Sequence, residues 1–211
     1  MSHSQSRLLD FLNDLAAKRP TPGGGSASAL GGALGAALGC MAANYTVGNE
    51  KHKDFQVAAT AARDALEGLR AKFVALVDED IAAYESYRAA SALPKNAPDE
   101  KNARSQALAA ALEQSTQVPE RILSAAHAAL KHVLALSAAV NPNLAGDVAS
   151  AAYFLEACAR GAAIQIQSNC AAADASGASA RRRAAADETV SRCQQLREKI
   201  HVAVMQMLQR A

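Results

Sequence analysis

Three places in the sequence carry residues whose type and spacing could do chemistry. The first is Pro22-Gly23-Gly24-Gly25-Ser26, a glycine triplet directly ahead of a long apolar run. If a helix starts there, the triplet exposes several N–H groups at the positive end of the helix dipole, where a carboxylate or ring carbonyl can be held. The same residues also make a plain tight turn, and they are neither a P-loop, lacking the Gly-Lys-Ser/Thr ending, nor a GxGxxG fingerprint. The second place is Asp80, a carboxylate in a row of otherwise apolar positions; it belongs to the core side of a helix or, in a shifted register, to its surface. The third is Asp147, which follows Gly146 between a loop and a helix. It either caps that helix, as aspartate does well, or serves a site.

Other chemistry is poorly supported. His127 and His132 are five positions apart and do not share a helix face. No cysteine or carboxylate joins them at ligand spacing, so no metal is expected. Cys40, Cys158, Cys170 and Cys193 form no CxxC pair and sit among alanines. They read as buried free thiols in a reducing, cytoplasmic compartment. A net charge of +2 is too mild for a nucleic-acid binder, and Arg181-Arg182-Arg183 reads as a solvated face. The N-terminus has no basic segment followed by an apolar run, so no signal peptide is expected.

The elements that must position these residues are helical. Half of the 211 residues are hydrophobic but only 4% are aromatic, so alanine, the best helix former, supplies much of the apolar content. Leu8, Phe11, Leu12 and Leu15 form the stripe of an amphipathic helix over Ser6 to Lys18, which Pro20 and Pro22 stop. A second helix runs from Ala27 to about Val47 with Ser26 as its cap. It carries Gly31, Gly35 and Gly39 at four-residue spacing, beside Leu30, Leu34 and Leu38. The bare glycine face invites close packing. No charge lies between Arg19 and Asn49. A membrane span is long enough to fit, but glycine and alanine are weakly apolar, and a central helix buried on all sides fits better. A long helix follows from about Lys53 to Ala92, with Phe55, Ala58, Ala62, Leu66, Leu69, Phe73, Leu76, Asp80, Ile81 and Tyr84 along one side. Further helices are predicted from Asp99, from Pro119 to about Val140, from Ala149 to about Ala173, and from Thr189 to Gln209. The reading is an all-α, single helical-bundle domain over residues 1–211 with six or seven helices.

Read together, these pieces resemble the cyclodeaminase/cyclohydrolase family, which comprises the cyclodeaminase half of formiminotransferase-cyclodeaminase and the stand-alone methenyltetrahydrofolate cyclohydrolases. The most specific block is FLNDLAAKRPTPGGGSASALGGALGAALGCMAANYTVG; DEDIAAYESYRAASALPK, VPERIL, NPNLAGDVASAA and QIQSN follow in order. The resemblance implies a cytoplasmic all-α homodimer that works on tetrahydrofolates bearing a one-carbon bridge, with no permanently bound cofactor, no nucleic acid and no membrane. It gathers Pro22, Gly23, Gly24, Gly25, Ser26, Lys51, Lys95, Asn141 and Asn143 around the substrate, with Asp147 and Asp80 as catalytic carboxylates and Asp147 as the preferred base. The implied activity is hydrolysis of 5,10-methenyltetrahydrofolate to 10-formyltetrahydrofolate. The alternatives are ammonia release from formiminotetrahydrofolate, or folate binding by a divergent dimer without turnover. The chain departs from the family pattern at Val140, Gly146 and Gln165, where Gly, Ser and Asn are usual, and keeps one lysine after TVG.

Overall fold

Alanine-rich sequence has little to gain from strands and every local reason to coil. The computed structural model describes residues 7–137, 142–173 and 177–209, the side chains of Lys51 and Pro142 excepted. Among the described residues there are six α-helices: α1 (Leu8–Ala16), α2 (Gly24–Thr46), α3 (Gln56–Ser91), α4 (Pro98–Ser137), α5 (Ala145–Ala172) and α6 (Gly177–Leu208). A 3₁₀ turn, Glu50–Phe55, joins α2 to α3, and another, Pro142–Leu144, leads into α5. From α2 onward successive helices run antiparallel, and α2 packs on α3, α4 and α5.

Glycine sets the register of α2 against α3. An added Cβ at Gly39 would meet Leu66 at 2.9 Å, one at Gly32 the Phe73 ring at 2.5 Å, and one at Gly25 the Asp80 carboxylate at 2.0 Å. Each step moves seven residues along both helices, in opposite directions. A heptad row drifts only about 20° per step, so it stays beneath α3. The expected row of Gly31, Gly35 and Gly39 is not the one used, because a four-residue step turns about 40° further round the helix than a full turn. Gly31 faces open space, while Gly35 abuts Leu155 and the Ala151 carbonyl of α5. Leu30 and Leu38 pack half-buried against the edge of the core while Leu34 between them is 46% exposed, so α2 is not buried on every side. By length and composition α2 could cross a membrane; 56% of its most apolar window is buried inside the bundle.

The core comes from Leu66, Phe73 and Leu76 of α3, Ile122, Leu130 and Val133 of α4, Val148, Leu155 and Ile166 of α5, and Cys193, Ile200 and Val204 of α6. Several expectations at the ends of helices give way to tertiary packing. In α1 only Phe11 is buried, and Leu8 and Leu12 stay exposed. Phe55 and Ala58 face solvent, and the core row of α3 begins at Ala59 and Ala62. The last helix starts at Gly177, not Thr189.

The expected break at Pro119 does not occur: α4 runs for 40 residues with Pro119 inside it. Proline has no N–H, so the carbonyl four residues earlier, that of Ser115, loses its helical donor. Asn169 of α5 supplies one, its Nδ2 donating to the Ser115 oxygen at 2.7 Å. Val118, Pro119 and Ile122 are buried, so packing compensates for the rest.

Candidate functional site

The N-terminus of α2 is built to receive a carboxylate from α3. Pro20 and Pro22 end the preceding segment, the Thr21–Pro22 peptide is cis, and Gly23 is the N-cap of α2. Ser26, expected to be the cap, instead occupies the third helical position and is fully buried. Its Oγ donates to Asp80 Oδ2 at 2.8 Å, and its backbone N–H also bonds the Asp80 carboxylate. Gly25 permits this approach, since any side chain there would occupy the carboxylate's place. Burial raises the Asp80 pKa above its ordinary value, and the two hydrogen bonds from Ser26 pull partly the other way. Asp80 is therefore a half-buried carboxylate at a helix N-terminus, held in place and with raised proton affinity.

A cavity of about 300 Å³ opens over this carboxylate. Its floor is Pro20, Thr21 and Gly23–Gly25. One wall is Asp80, Tyr84 and Tyr87 of α3; the facing wall is Gln165, Ser168 and Asn169 of α5; Leu112 and Ser115 of α4 close the back. Asp80, Tyr84 and Tyr87 recur at four and three residues, and Gln165, Ser168 and Asn169 at three and one, so each set shares a helix face. A second cavity of about 530 Å³ adjoins the first across Tyr87, Leu112 and Ala172. It is bordered by Arg182, whose guanidinium donates to both oxygens of Glu113 at 2.7 and 2.5 Å.

The residues singled out in the sequence divide between the two ends of the bundle. The glycine turn, Ser26 and Asp80 meet at one end, although Pro22 and Ser26 themselves support the cavity without lining it. Lys95 belongs to the same end but sits fifteen residues beyond Asp80, exposed in the α3–α4 connection. Asp147 does not join them. It lies in the first turn of α5, after the cap Leu144, and eighteen residues before Gln165. At 1.5 Å per residue that is about 27 Å along the helix. Lys51 follows the C-terminus of α2 and is likewise at the far end, with Asn143 nearby in sequence to Asp147. Asn141 lies outside the described residues, as does Val140. Within one chain the carboxylate of the cavity is Asp80, and the expectation that Asp147 acts beside it fails because α2, α3 and α5 are long and antiparallel.

Tyr87, Ser115 and Ser168 were not singled out from the sequence. Tyr84 was placed in the core row, yet it lines the cavity and is 43% exposed. The regular spacing from Asp80 was the available signal for both tyrosines. Among the described residues no three histidine, cysteine or acidic side chains come together as metal ligands.

Residues 7–188 match the family described as formiminotransferase-cyclodeaminase. A methenyltetrahydrofolate cyclohydrolase of Methylorubrum extorquens is 39% identical over 109 residues, which cover 52% of each chain. A formimidoyltransferase-cyclodeaminase of Sus scrofa is 33% identical over 112 residues, 53% of this chain and 21% of that one. The aligned stretch thus spans about half of the bacterial relative and a fifth of the animal one. A formiminotetrahydrofolate cyclodeaminase from Thermotoga maritima has the same fold, with a TM-score of 0.78 and 24% identity over 97% of this chain and 96% of that one.

Proposed function

Because the chain belongs to the formiminotransferase-cyclodeaminase family, we propose that it is a cytoplasmic, homodimeric enzyme that hydrolyses 5,10-methenyltetrahydrofolate to 10-formyltetrahydrofolate. The observation that carries this reading is the Asp80 carboxylate fixed in a cavity between two tyrosines and a row of neutral polar groups. The substrate is an amidinium cation, its charge shared between N5 and N10 across the bridge carbon. A carboxylate beside that bridge stabilises the cation and accepts the proton of the attacking water. Water adds to the bridge carbon and gives its proton to Asp80. The tetrahedral adduct then opens at N5, which takes that proton back from Asp80 while the adduct's hydroxyl releases its own to solvent, leaving the formyl group on N10. The raised proton affinity of Asp80 suits it to accept and return a proton.

A second copy of the chain would explain Asp147. The outer row of α2, with Leu34 and Tyr45, and the neighbouring row of α5, with Phe154 and Ile164, leave large apolar side chains exposed, and α2 carries no charge at all. Such a surface supports pairing with a like surface. A twofold axis across the helices would lay α2 antiparallel on its copy and bring the Asp147 end of one protomer to the Asp80 end of the other.

The test follows the ultraviolet band of 5,10-methenyltetrahydrofolate under conditions that slow its spontaneous hydrolysis. Asp80→Asn should lower turnover by about 10²-fold or more, the usual contribution of a general base. Asp147→Asn should also lower it, and mixing the two inactive variants should restore part of the activity, since a mixed dimer has one intact site. Parental turnover in Asp80→Asn would refute the mechanism. Ammonia release from formiminotetrahydrofolate, with the methenyl band unchanged, would establish the cyclodeaminase reading in its place.

A further inference from the structure

We propose that Gln165 and Asn169 form the subsite that reads the 2-amino-4-oxopyrimidine edge of a reduced pterin ring, an inference that rests on the function proposed above. The argument starts at Pro119. Its missing N–H leaves the Ser115 carbonyl to Asn169 Nδ2, at 2.7 Å. A carbonyl only accepts, so the Asn169 carboxamide is held one way round: nitrogen on Ser115, Oδ1 left as its acceptor for the cavity that both residues line.

Gln165 sits one helical turn earlier on the same wall, its Cβ about 5–6 Å from that of Asn169 by helix geometry. It lies over the glycine turn, where an added Cβ at Gly24 would come within 2.8 Å of its Nε2. Among the described residues its carboxamide has no hydrogen-bond partner, so it is free to turn a donor or an acceptor to a ligand in the cavity it lines. The wall thus presents one fixed acceptor and one adjustable amide. The pyrimidinone edge presents the complementary set: donors at N3–H and the 2-amino group, and an acceptor at O4. Both amides are neutral, which suits a neutral ring edge and keeps the charged Asp80, on the opposite wall, for the cationic bridge. A cavity of about 300 Å³ is at the small end of ligand sites, enough for a bicyclic ring, with the rest of a folate passing outward.

The experiment measures dissociation constants of the parent, Gln165→Leu and Asn169→Ala for two probes. One is 6-methyltetrahydropterin, which has the ring without the tail; the other is p-aminobenzoylglutamate, which has the tail without the ring. Turnover of 5,10-methenyltetrahydrofolate is measured beside them. Each variant should bind the pterin at least about tenfold more weakly, as expected when a buried hydrogen bond to a ligand is lost. KM should rise by a similar factor with kcat within about threefold of the parent, and affinity for the tail fragment should not change. Gln165→Leu is the decisive variant, because Asn169→Ala also removes the link between α4 and α5. Unchanged pterin affinity in Gln165→Leu, or a loss confined to the tail fragment, overturns the subsite while leaving the proposed activity standing. A parent that binds neither probe and does not turn over overturns both.

Discussion

Replacing Gly25 by alanine tests whether the carboxylate seat is what holds the site together. The added methyl would lie 2.0 Å from Asp80 Oδ1, 2.5 Å from Cγ and 2.7 Å from Oδ2. Non-bonded carbon contacts settle near about 3.5 Å, so the carboxylate must retreat by about 1 Å or more. That retreat breaks the 2.8 Å bond from Ser26 Oγ together with the bond from the Ser26 N–H. Hydrogen bonds to a charged group contribute about 1.5–3 kcal/mol each, and alanine returns about 0.5–1 kcal/mol of helix preference. The half-exposed position of Asp80 places the net loss at the low end, about 1–3 kcal/mol. For a chain of this size each kcal/mol shifts Tm by about 2–4 °C, so thermal unfolding followed by circular dichroism should fall by roughly 5 °C. Turnover should fall by about 10²-fold, the usual cost of misplacing a reacting group by about 1 Å. Gly68→Ala is the control, since Gly68 is exposed in α3 with nothing within 4 Å of an added Cβ. It should raise Tm by about 2–4 °C and leave turnover alone. A Gly25→Ala protein that melts with Gly68→Ala and turns over like the parent would refute the reasoning.

Two further outcomes follow from groups held away from their ordinary pKa. Burial raises the Asp80 pKa above 3.8, so kcat/KM should lose activity on an acid limb lying above the ordinary aspartate range, and Asp80→Asn should flatten that limb. Stability runs the opposite way: because the folded-state value is raised, protonation favours the fold, and this contribution is lost as pH rises through the raised value. Asp80→Asn should therefore be at least as stable as the parent at neutral pH and converge with it below pH 3.8, checked by Tm against pH. Burial also pushes the thiols of Cys158 and Cys193 up to about 12 and that of Cys40 up to about 11. These three should resist a thiol reagent such as DTNB at pH 8 in the native protein and react once it is unfolded; prompt native labelling at any of them would contradict the burial.

The sequence was most informative where local rules and tertiary structure agree. A helix does begin at the glycine triplet, though at Gly24 within it and not after Ser26, and Asp80 does stand in the inward row of the next helix, because turn residues and helical periodicity are local properties. It was least informative where a distant partner decides. Gly31, Gly35 and Gly39 are conspicuous by their even spacing, yet which glycines face α3 depends on how slowly a row winds round the helix, and that selects Gly25, Gly32 and Gly39. Pro119 reads as a helix start until Asn169, fifty residues later, supplies the missing donor. Asp147 reads as a neighbour of Asp80 until the lengths of α2 and α5 place it at the other end.

The row of Gly39, Gly32 and Gly25 against Leu66, Phe73 and Asp80 also bears on how the chain finds its fold. A helix with a heptad row of glycines can slide past its neighbour by one heptad and still interdigitate, and the first two rungs alone would tolerate such a slip. The third would not. A slip that drew Asp80 inward to Gly32 would leave its charge in the dry interior, away from the helix start that binds it, at a cost of several kcal/mol. The carboxylate thus works as a key that only one alignment of α2 and α3 accepts, much as a single polar residue fixes the alignment of a coiled coil. A leucine at position 80 would remove more than a reactive group: it would make the wrong alignment as comfortable as the right one.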